Sequence, residues 1–281
     1  MKRFAVFGNP IKHSYSPIIH SLFAEQFGFE ICYEKCLINK HEFVAEVEKF
    51  FDDGGMGLNI TVPFKQEAYR FLSNLSERSL EAGSVNTIKK DYNGNLCGDN
   101  TDGLGLKVDL VKNLKWNISN KRVLIIGAGG ATRGILRSLF SLNPSQIVIA
   151  NRTPGKVLSL LSHFKSLHNV SGCSLNNVNK EAPFDIIINA TSASLNNEAV
   201  FLSDQIISED EFFCYDLAYS NSLTPFLDWG LKRGAEISDG IGMLVEQAAE
   251  SFSIWLDKAP QTESVITVSY THLTLPTMEL V

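Results

Sequence analysis

A glycine-rich turn follows an apolar run near the middle of the chain. The segment from Arg122 to Gly127 predicts a buried strand, and residues 131–142 predict a helix. The turn that joins them consists of Gly127, Ala128, Gly129, Gly130 and Ala131. Glycine allows a sharp exit from the strand and a close approach to a pyrophosphate, while the helix N-terminus offers free N–H groups. A tight turn also requires glycine, and Thr132 takes the third position of the G-x-G-x-x-G pattern, but the strand–turn–helix context favours a nucleotide site.

Basic residues follow the next predicted strand, residues 146–150. Asn151, Arg152 and Thr153 come directly after it, and Lys156 stands close behind. An NAD-binding fold usually places Asp or Glu at this point to hold the ribose 2′-hydroxyl. Arg and Lys instead hold a 2′-phosphate with charge-assisted hydrogen bonds, although Lys156 lacks the planar fork of arginine. A solvated basic turn is the alternative, but the pattern favours NADP as the cofactor.

Four polar segments lie within the first 103 residues. Ser14 and Ser16 flank a predicted loop-to-helix junction, and residues 59–65 place Asn, Thr and Lys at the end of a predicted strand. Residues 83–87 and 98–103 read as two short polar loops. Each segment by itself has a structural explanation, such as Ser16 acting as a helix cap. Taken together, the four fit poorly with a merely structural role.

Alternating strands and helices are predicted to position these groups. In the first half we expect strands at 4–8, 33–37 and 56–62 and helices at 16–27 and 41–51. In the second half we expect strands at 122–127, 146–150, 185–189 and 212–216, and helices at 131–142 and 244–256. This alternation implies βαβ units and largely parallel sheets, with ligands outside the carboxyl ends of the strands. The boundary between the halves is expected between Gly103 and Asn120.

The bulk composition narrows the class of protein. The chain has 281 residues, 44% of them hydrophobic, and a formal net charge of −6. A mildly acidic chain without basic blocks is a poor candidate for binding nucleic acid or a membrane surface. The five cysteines lack the spacing of a zinc or redox motif, and neither a signal peptide nor an apolar membrane span is recognisable. We therefore expect a cytoplasmic protein, monomeric or homodimeric, with no metal site.

Nine motifs in the chain resemble those of the shikimate dehydrogenase family. They occur in the family's order and spacing and cover roughly residues 4–258. The motifs are Gly8–Pro17, Asn59–Lys65, Ser84–Thr87, Gly98–Gly103, Gly127–Ala131, Asn151–Thr153, Asn189–Ser192, Asp216–Tyr219 and Asp239–Ala248. Nine motifs in register are far more specific than any one of them. The resemblance implies a reversible, NADP-dependent reduction of 3-dehydroshikimate to shikimate, on the route to chorismate and the aromatic amino acids.

The resemblance also implies roles for individual residues. Lys65 and Asp102 would be catalytic and would also contact the substrate. The other substrate-binding residues would be Ser14, Ser16, Thr61, Asn86, Tyr219 and Gln247. Besides the glycine-rich turn and the basic residues that follow the next strand, the cofactor would contact Glu77, Thr191, Leu217 and Gly240.

The chemistry of ketone reduction gives an independent reason for the lysine and the carboxylate. Hydride transfer to a ketone develops negative charge on the oxygen, which must then receive a proton. A lysine ammonium stabilises that oxygen and supplies the proton, and a neighbouring carboxylate orients the lysine. We therefore expect Lys65 to act as the general acid/base with Asp102 beside it. Hydroxyl and amide side chains suit a polyhydroxylated ring, because each alcohol needs a hydrogen-bond partner.

We expect an α/β protein of two domains. An N-terminal α/β substrate domain with a mainly parallel sheet would comprise residues 1–103 and 241–262. A Rossmann-like NADP-binding domain would comprise residues 104–240. Residues 263–281 are Thr-rich, do not continue the preceding helical pattern, and remain an unassigned tail.

Two alternatives stay open at this point. One is a quinate/shikimate dehydrogenase with a broader substrate range and use of NAD, against which the Ser14/Ser16 pair and the basic Arg152 turn count. The other is a non-catalytic module that senses shikimate or a nucleotide. The presence of both Lys65 and Asp102 counts against the second alternative.

Overall fold

The computed structural model describes residues 1–194, 198 and 202–274. The chain forms two compact units, Met1–Leu106 with Leu244–Ser269 and Lys107–Met243 with Tyr270–Val281. Residues 195–197 and 199–201 of the expected NADP domain, and residues 275–281 of the expected tail, lie outside the described residues. The units are defined by packing, so the assignment of one domain to the substrate and one to NADP stays a prediction.

Twelve strands occur in the described part of the chain. They are β1 Lys2–Gly8, β2 Ile31–Leu37, β3 Gly57–Ile60, β4 Asn74–Leu75, β5 Thr87–Lys90, β6 Leu96–Asp99, β7 Arg122–Ile126, β8 Gln146–Asn151, β9 Val170–Ser174, β10 Ile186–Asn189, β11 Phe213–Asp216 and β12 Glu236–Ser238. The seven apolar runs predicted from the sequence all form strands, with ends that differ by a few residues.

Ten α-helices accompany the strands within the described residues. They are α1 Ser16–Gln26, α2 Phe43–Asp52, α3 Lys65–Phe71, α4 Glu77–Ala82, α5 Asp102–Val108, α6 Gly130–Phe140, α7 Pro154–His163, α8 Pro225–Leu231, α9 Ile241–Leu256 and α10 Glu263–Thr274. Short π- and 3₁₀-helical turns occur at Asp109–Asn113, Leu175–Lys180 and Asp204–Ile206. No helix of the described chain has the length and apolarity that crossing a bilayer requires.

The sheet of the first unit has the strand order β2-β1-β3-β5-β6-β4. Strand β1 pairs in parallel with β2 and β3, whereas β5 is antiparallel to both β3 and β6. A core of phenylalanine and aliphatic side chains from β1, β3, α2 and α3 packs on the sheet. A second cluster joins α1 to α9, with Phe23 and Phe252 fully buried. Helix α9 thereby returns the chain to the first unit after residues 107–243 of the second unit.

The sheet of the second unit has the order β12-β11-β10-β7-β8-β9, and all of its neighbouring strands are parallel. Strand β7 is central: the chain first adds β8 and β9 on one side of it and then β10, β11 and β12 on the other. Its central strands are buried on both faces, as in Val123–Ile126 and Ile147–Ala150. The two-domain α/β fold class, with a Rossmann-like second half, is confirmed by solved structures described below.

Two local predictions are wrong, and the tail contains an element that was not predicted. The segments 83–87 and 98–103 are not simply loops, because Thr87 begins β5, Gly98 and Asp99 end β6, and Asp102 begins α5. Ser16 does not cap α1 but is its first residue, since its backbone already follows the helix. Residues 263–274 form a further helix, α10, in which Val265 is buried. Burial of that apolar side chain stabilises a helix that the Thr-rich composition does not predict.

Candidate active site and nucleotide site

Lys65 and Asp102 form a close ion pair in the first unit. Each is the first residue of a short helix, Lys65 of α3 and Asp102 of α5. The Lys65 Nζ lies 2.6 Å from Asp102 Oδ2, and the two side chains are only 15% and 5% exposed. A largely buried ion pair contributes little net stability, because both charges lose hydration. An ion pair of this kind at the start of two helices therefore points to a role in chemistry.

Asn86 holds the second oxygen of the Asp102 carboxylate. Its Nδ2 donates to Asp102 Oδ1 at 2.8 Å, and its Oδ1 accepts from the backbone N–H of Thr101 at 2.9 Å. A backbone N–H can only donate, so the Asn86 oxygen must face Thr101 and the amide NH₂ must face Asp102. The orientation of the amide is thus fixed by chemistry, and Asp102 is held on one oxygen by Asn86 and on the other by Lys65.

Gln247 adds the fourth polar side chain of this cluster, from helix α9. Its Oε1 accepts from Asn86 Nδ2 at 3.2 Å and from Thr101 Oγ1 at 3.4 Å. Its Nε2 donates to the carbonyl oxygen of Leu244 at 2.8 Å. The structure therefore brings together four residues that the sequence analysis assigned to substrate or catalysis: Lys65, Asn86, Asp102 and Gln247.

Ser14 and Ser16 lie on a connected row of hydrogen bonds. The Ser14 hydroxyl donates to Ser16 Oγ at 3.1 Å, and Ser16 contacts the hydroxyl of Tyr33. Tyr33 in turn donates to Asn59 Oδ1 at 2.7 Å, and Asn59 Nδ2 donates to the backbone oxygen of Asn86 at 3.1 Å. The serine pair is thus linked to the Asn86 segment indirectly, through Tyr33 and Asn59.

Thr61 is placed by the exit from β3. Its backbone N–H donates to Phe7 O at 2.9 Å, and a Cβ added at Gly8 would lie 2.4 Å from Thr61 Cγ2. Only a glycine at position 8 leaves room for the threonine there. The half-buried Tyr219 lies just after β11 in the second unit, and the exposed Glu77 begins α4 in the first. The proposed ligand contacts of all three stay predictions.

The glycine-rich turn of the second unit has the geometry of an anion site. Gly127 has a φ of +113°, and a Cβ there would lie 2.9 Å from Ala190 O, so only glycine fits. Helix α6 begins at Gly130, and a Cβ at Gly129 or Gly130 would meet open space. No acidic residue occupies the first turn of this described helix. The open side and the free helix N-terminus fit a pyrophosphate.

The basic residues at the end of β8 fit a second phosphate. Asn151 closes the strand, and its Nδ2 donates to Thr153 O at 3.1 Å, which shapes the turn before α7. Arg152 and Lys156 are exposed, and within the described ranges neither is paired with a carboxylate. Two unpaired cations beside the strand end can hold the 2′-phosphate of NADP.

The remaining cofactor candidates follow β10, β11 and β12. Thr191 Oγ1 donates to Asn189 Oδ1 at 2.8 Å, and the Leu217 N–H donates to Asn189 O at 2.9 Å. A Cβ added at Gly240 would lie 2.3 Å from Leu217 O, so this glycine permits a close backbone approach. Because the strands are parallel, Thr191, Leu217 and Gly240 stand at the same edge of the sheet as Gly127 and Arg152.

Asp216 organises this edge, although the sequence analysis gave it no role. Its side chain is fully buried and accepts from Ser194 Oγ at 2.6 Å, Thr224 Oγ1 at 2.8 Å and Asn189 Nδ2 at 3.1 Å. Burial raises the pKa of Asp216, and the hydrogen bonds oppose that shift. Asp216 lies inside the motif 216–219, and that position was the available sign of its role. The sequence analysis assigned roles only to its neighbours Leu217 and Tyr219.

Three family models match this chain. The shikimate dehydrogenase substrate-binding domain matches residues 6–88, shikimate/quinate 5-dehydrogenase matches 109–219, and the shikimate 5′-dehydrogenase C-terminal domain matches 240–268. The last match continues ten residues beyond the limit of 258 that the motifs suggested, and reaches into α10. Residues 263–268 are therefore part of the family domain and not of an unmatched tail.

Whole-length relatives agree with these models. The NADP(+) shikimate dehydrogenase of Cellvibrio japonicus is 48% identical over 94% of this chain and 95% of its own length. An Ael1 enzyme from Pseudomonas putida has a solved structure that is 37% identical, with a TM-score of 0.84 over 98% of this chain and 99% of that one.

A third relative was solved with both ligands. The shikimate 5-dehydrogenase of Thermus thermophilus, in complex with NADP(H) and shikimate, is 27% identical, with a TM-score of 0.85 over 97% of this chain and 100% of that one. Sequence identity, coverage and fold agree, and this chain belongs to the shikimate dehydrogenase family.

Proposed function

We propose that this chain catalyses the reversible, NADP-dependent reduction of 3-dehydroshikimate to shikimate. The observation that carries the proposal is the buried contact between Lys65 Nζ and Asp102 Oδ2, at 2.6 Å, inside a cluster completed by Asn86 and Gln247. This is a proton donor held in a fixed position beside hydrogen-bonding groups that suit a polyhydroxylated ring. The relatives from Cellvibrio japonicus and Thermus thermophilus are named shikimate dehydrogenases.

Lys65 would hold the proton that the substrate oxygen receives. Bound NADPH supplies the hydride, which is two electrons and a proton delivered to the carbonyl carbon. The Lys65 ammonium stabilises the negative charge that develops on the oxygen and transfers a proton from Nζ to it, so that the ketone becomes an alcohol. In the reverse direction the neutral amine accepts the proton from the alcohol.

Asp102 and Asn86 would keep Lys65 in place and contact the substrate themselves. The carboxylate fixes the lysine on one oxygen and receives the Asn86 amide on the other, so neither side chain needs to reorganise during the reaction. Ser14, Ser16, Thr61, Tyr219 and Gln247 would satisfy the remaining hydroxyls and the carboxylate of the ring. Removing one such partner leaves a buried polar group unpaired, which is the physical basis of selectivity.

The cofactor would be held at the edge of the second sheet. The N–H groups at the start of α6, from Gly129 to Ala131, would bind the pyrophosphate, and Arg152 and Lys156 would bind the 2′-phosphate. Asn151 and Thr153 would support that turn. The contacts of Glu77, Thr191, Leu217 and Gly240 with the rest of the cofactor are part of the same proposal.

The test is absorbance at the band of the reduced nicotinamide. The purified protein is mixed with shikimate and NADP, shikimate and NAD, or quinate and either cofactor. A shikimate-dependent rise that is much faster with NADP is the expected result. Equal rates with NAD or quinate would instead support the broader quinate/shikimate activity. If the folded protein binds shikimate but the absorbance does not rise, the result would contradict the enzymatic activity and support the non-catalytic sensing module.

We further propose that the protein acts in the cytoplasm as a monomer or homodimer, without nucleic acid or membrane partners. The mildly acidic net charge of −6 supports the absence of nucleic-acid and membrane partners. Size-exclusion chromatography with light scattering, on the purified chain with and without added DNA or anionic vesicles, tests the oligomeric state and the absence of these partners. Co-elution with either addition would contradict the proposal.

A further inference from the structure

A row of buried hydroxyls connects helix α9 to the catalytic ion pair. Ser251 is fully buried, and its Oγ lies 2.7 Å from Thr87 Oγ1, the shortest of its contacts. Thr87 Oγ1 donates to Asn86 Oδ1 at 2.9 Å, and Asn86 Nδ2 donates to Asp102 Oδ1 at 2.8 Å. Asp102 then accepts from Lys65. The sequence analysis assigned no role to Ser251.

The positions of the protons decide what this row does. The single proton of Thr87 goes to Asn86 Oδ1, because an amide oxygen can only accept. Thr87 then accepts in its contact with Ser251, so Ser251 donates there at 2.7 Å. The same Ser251 hydroxyl lies 3.1 Å from the backbone oxygen of Gln247, which competes for its one proton. Asn59 Nδ2 donates to Ser251 Oγ at 3.1 Å. The shorter contact favours the direction from Ser251 through Thr87 to Asn86.

Without Ser251 this direction is lost. The Thr87 hydroxyl loses its nearest donor, and Asn59 Nδ2 keeps only Asn86 O and Thr87 Oγ1 as acceptors. The Thr87 hydroxyl can then turn away from Asn86 Oδ1, which keeps the N–H and the hydroxyl of Thr101 as its other donors, at 2.9 and 3.3 Å. A looser amide allows the Asp102 carboxylate to rotate, and Lys65 moves with it. A shift well under 1 Å in a proton donor is costly for a transfer that depends on position.

We propose that Ser251 is a positioning residue for the Lys65–Asp102 pair, acting through Thr87 and Asn86. The proposal rests on the proposed function, since it concerns the same proton transfer. Ser251 does not touch the reacting atoms; it fixes the amide that fixes the carboxylate. All of the residues involved lie in the first unit.

The test compares Ser251→Ala with Ser251→Thr and Ser253→Ala. Threonine keeps the hydroxyl, while Ser253 lies on the same helix and donates only to Ala249 O and Lys258 O, away from the cluster. Ser251→Ala is expected to lower kcat about tenfold with little change in KM for NADP. Ser251→Thr restores most of kcat, and Ser253→Ala keeps it unchanged. A kcat of Ser251→Ala equal to that of the parent overturns the proposal.

A double variant separates positioning from simple loss of stability. If the hydroxyl row is the route, Ser251→Ala added to Thr87→Val lowers kcat no further than Thr87→Val alone. Independent, multiplying losses of kcat, measured at a temperature where all variants are folded, would show that Ser251 does not act through Thr87.

A third measurement does not depend on turnover. The rate at which Lys65 is acetylated by acetic anhydride, followed by peptide mass spectrometry, reports how firmly its amine is held. Ser251→Ala is expected to raise that rate several-fold, and Ser253→Ala to leave it unchanged. An unchanged rate in Ser251→Ala contradicts the positioning role even if the parent protein proves inactive, whereas parental inactivity alone contradicts only the proposed function.

Discussion

The hydroxyl of Thr132 donates to the carbonyl oxygen of Gly127 at 2.8 Å, across the glycine-rich turn. Thr132 is fully buried and takes the place of the third glycine in the nucleotide-binding pattern. In that pattern the third glycine allows helix and strand to pack closely. Here the hydrogen bond from Thr132 to Gly127 stabilises the turn, so the departure from the glycine pattern leaves the turn intact.

Replacing Thr132 with valine should therefore weaken the turn. The variant keeps the shape of the side chain but leaves a buried carbonyl without this donor, which costs about 1–3 kcal/mol of unfolding free energy. Thr132→Ser, which keeps the hydroxyl, should lose less. Urea unfolding of the two variants measures the difference, and NADP titration should show weaker binding for valine. Equal unfolding free energies for valine and serine would contradict the role of the hydroxyl.

Replacing Lys65 with alanine should abolish proton transfer while sparing the cofactor. Loss of a positioned general acid lowers kcat by about 10²- to 10⁴-fold. Binding of NADPH, measured by fluorescence titration, should be unchanged. Lys49→Ala, which removes an exposed lysine of α2 in the same unit, is the matched control and should keep full turnover. Near-normal turnover of Lys65→Ala would refute the catalytic assignment.

Replacing Arg152 with alanine should impair NADP binding selectively. A hydrogen bond to a charged group contributes about 1.5–3 kcal/mol, which corresponds to a roughly tenfold to hundredfold higher Kd for NADP. The Kd for NAD, which has no 2′-phosphate, should hardly change. Lys156→Arg should instead strengthen the preference for NADP over NAD, because arginine offers a planar fork. Calorimetric titration with both cofactors tests this, and a parallel loss of NAD binding would indicate a general defect.

The buried imidazole of His20 should make the fold sensitive to acid. Burial lowers the pKa of His20 to about 3 from the ordinary 6.5, and a hydrogen bond with Asn59 offsets this only in part. The folded state thus binds fewer protons than the unfolded chain between these values. The stability is present in full above the unfolded pKa and falls as the pH drops toward the folded one, by about 1.4 kcal/mol per pH unit.

The measurement is urea unfolding at pH 7 and pH 5, for the parent and for His20→Phe. Phenylalanine keeps the stacking on Tyr33, where the ring centroids lie 4.5 Å apart, and removes the titrating group. The parent should lose roughly 2 kcal/mol more than the variant between the two pH values. The same loss in both proteins would assign the acid sensitivity to other groups.

Period and apolar content were sufficient to predict the strands that are buried on both faces and the helices α1, α2, α6 and α9. Strands such as β1 and β7 are buried on both faces, so they appear in the sequence as unbroken apolar runs. Strands β5 and β6 are short and carry polar residues of the site, and for that reason they read as loops. The Asn93-Gly94 pair between them was the available sign of a hairpin.

The site itself was predicted unevenly. Lys65, Asn86, Asp102 and Gln247 were named from motifs, and the structure places them in one cluster. Thr101 and Thr87 lie within those same motifs but were not singled out, because their role depends on the acceptor to which each hydroxyl donates its proton. Ser251 was missed altogether. Only its position one helical turn after Gln247 links it to the site, and that relation has meaning only once the helix is known to face Asn86.

The hydroxyl contact between Thr87 and Ser251 joins residues 164 positions apart in the chain. The first unit is completed only by residues 244–269, after residues 107–243 of the second unit. During synthesis on the ribosome, the amide of Asn59 and the hydroxyl of Thr87 are therefore made long before their partner on α9 exists. Contacts of such long range close late in folding. The hydroxyl row that leads to Asp102 and Lys65 can therefore be complete only after residue 251 has been synthesised.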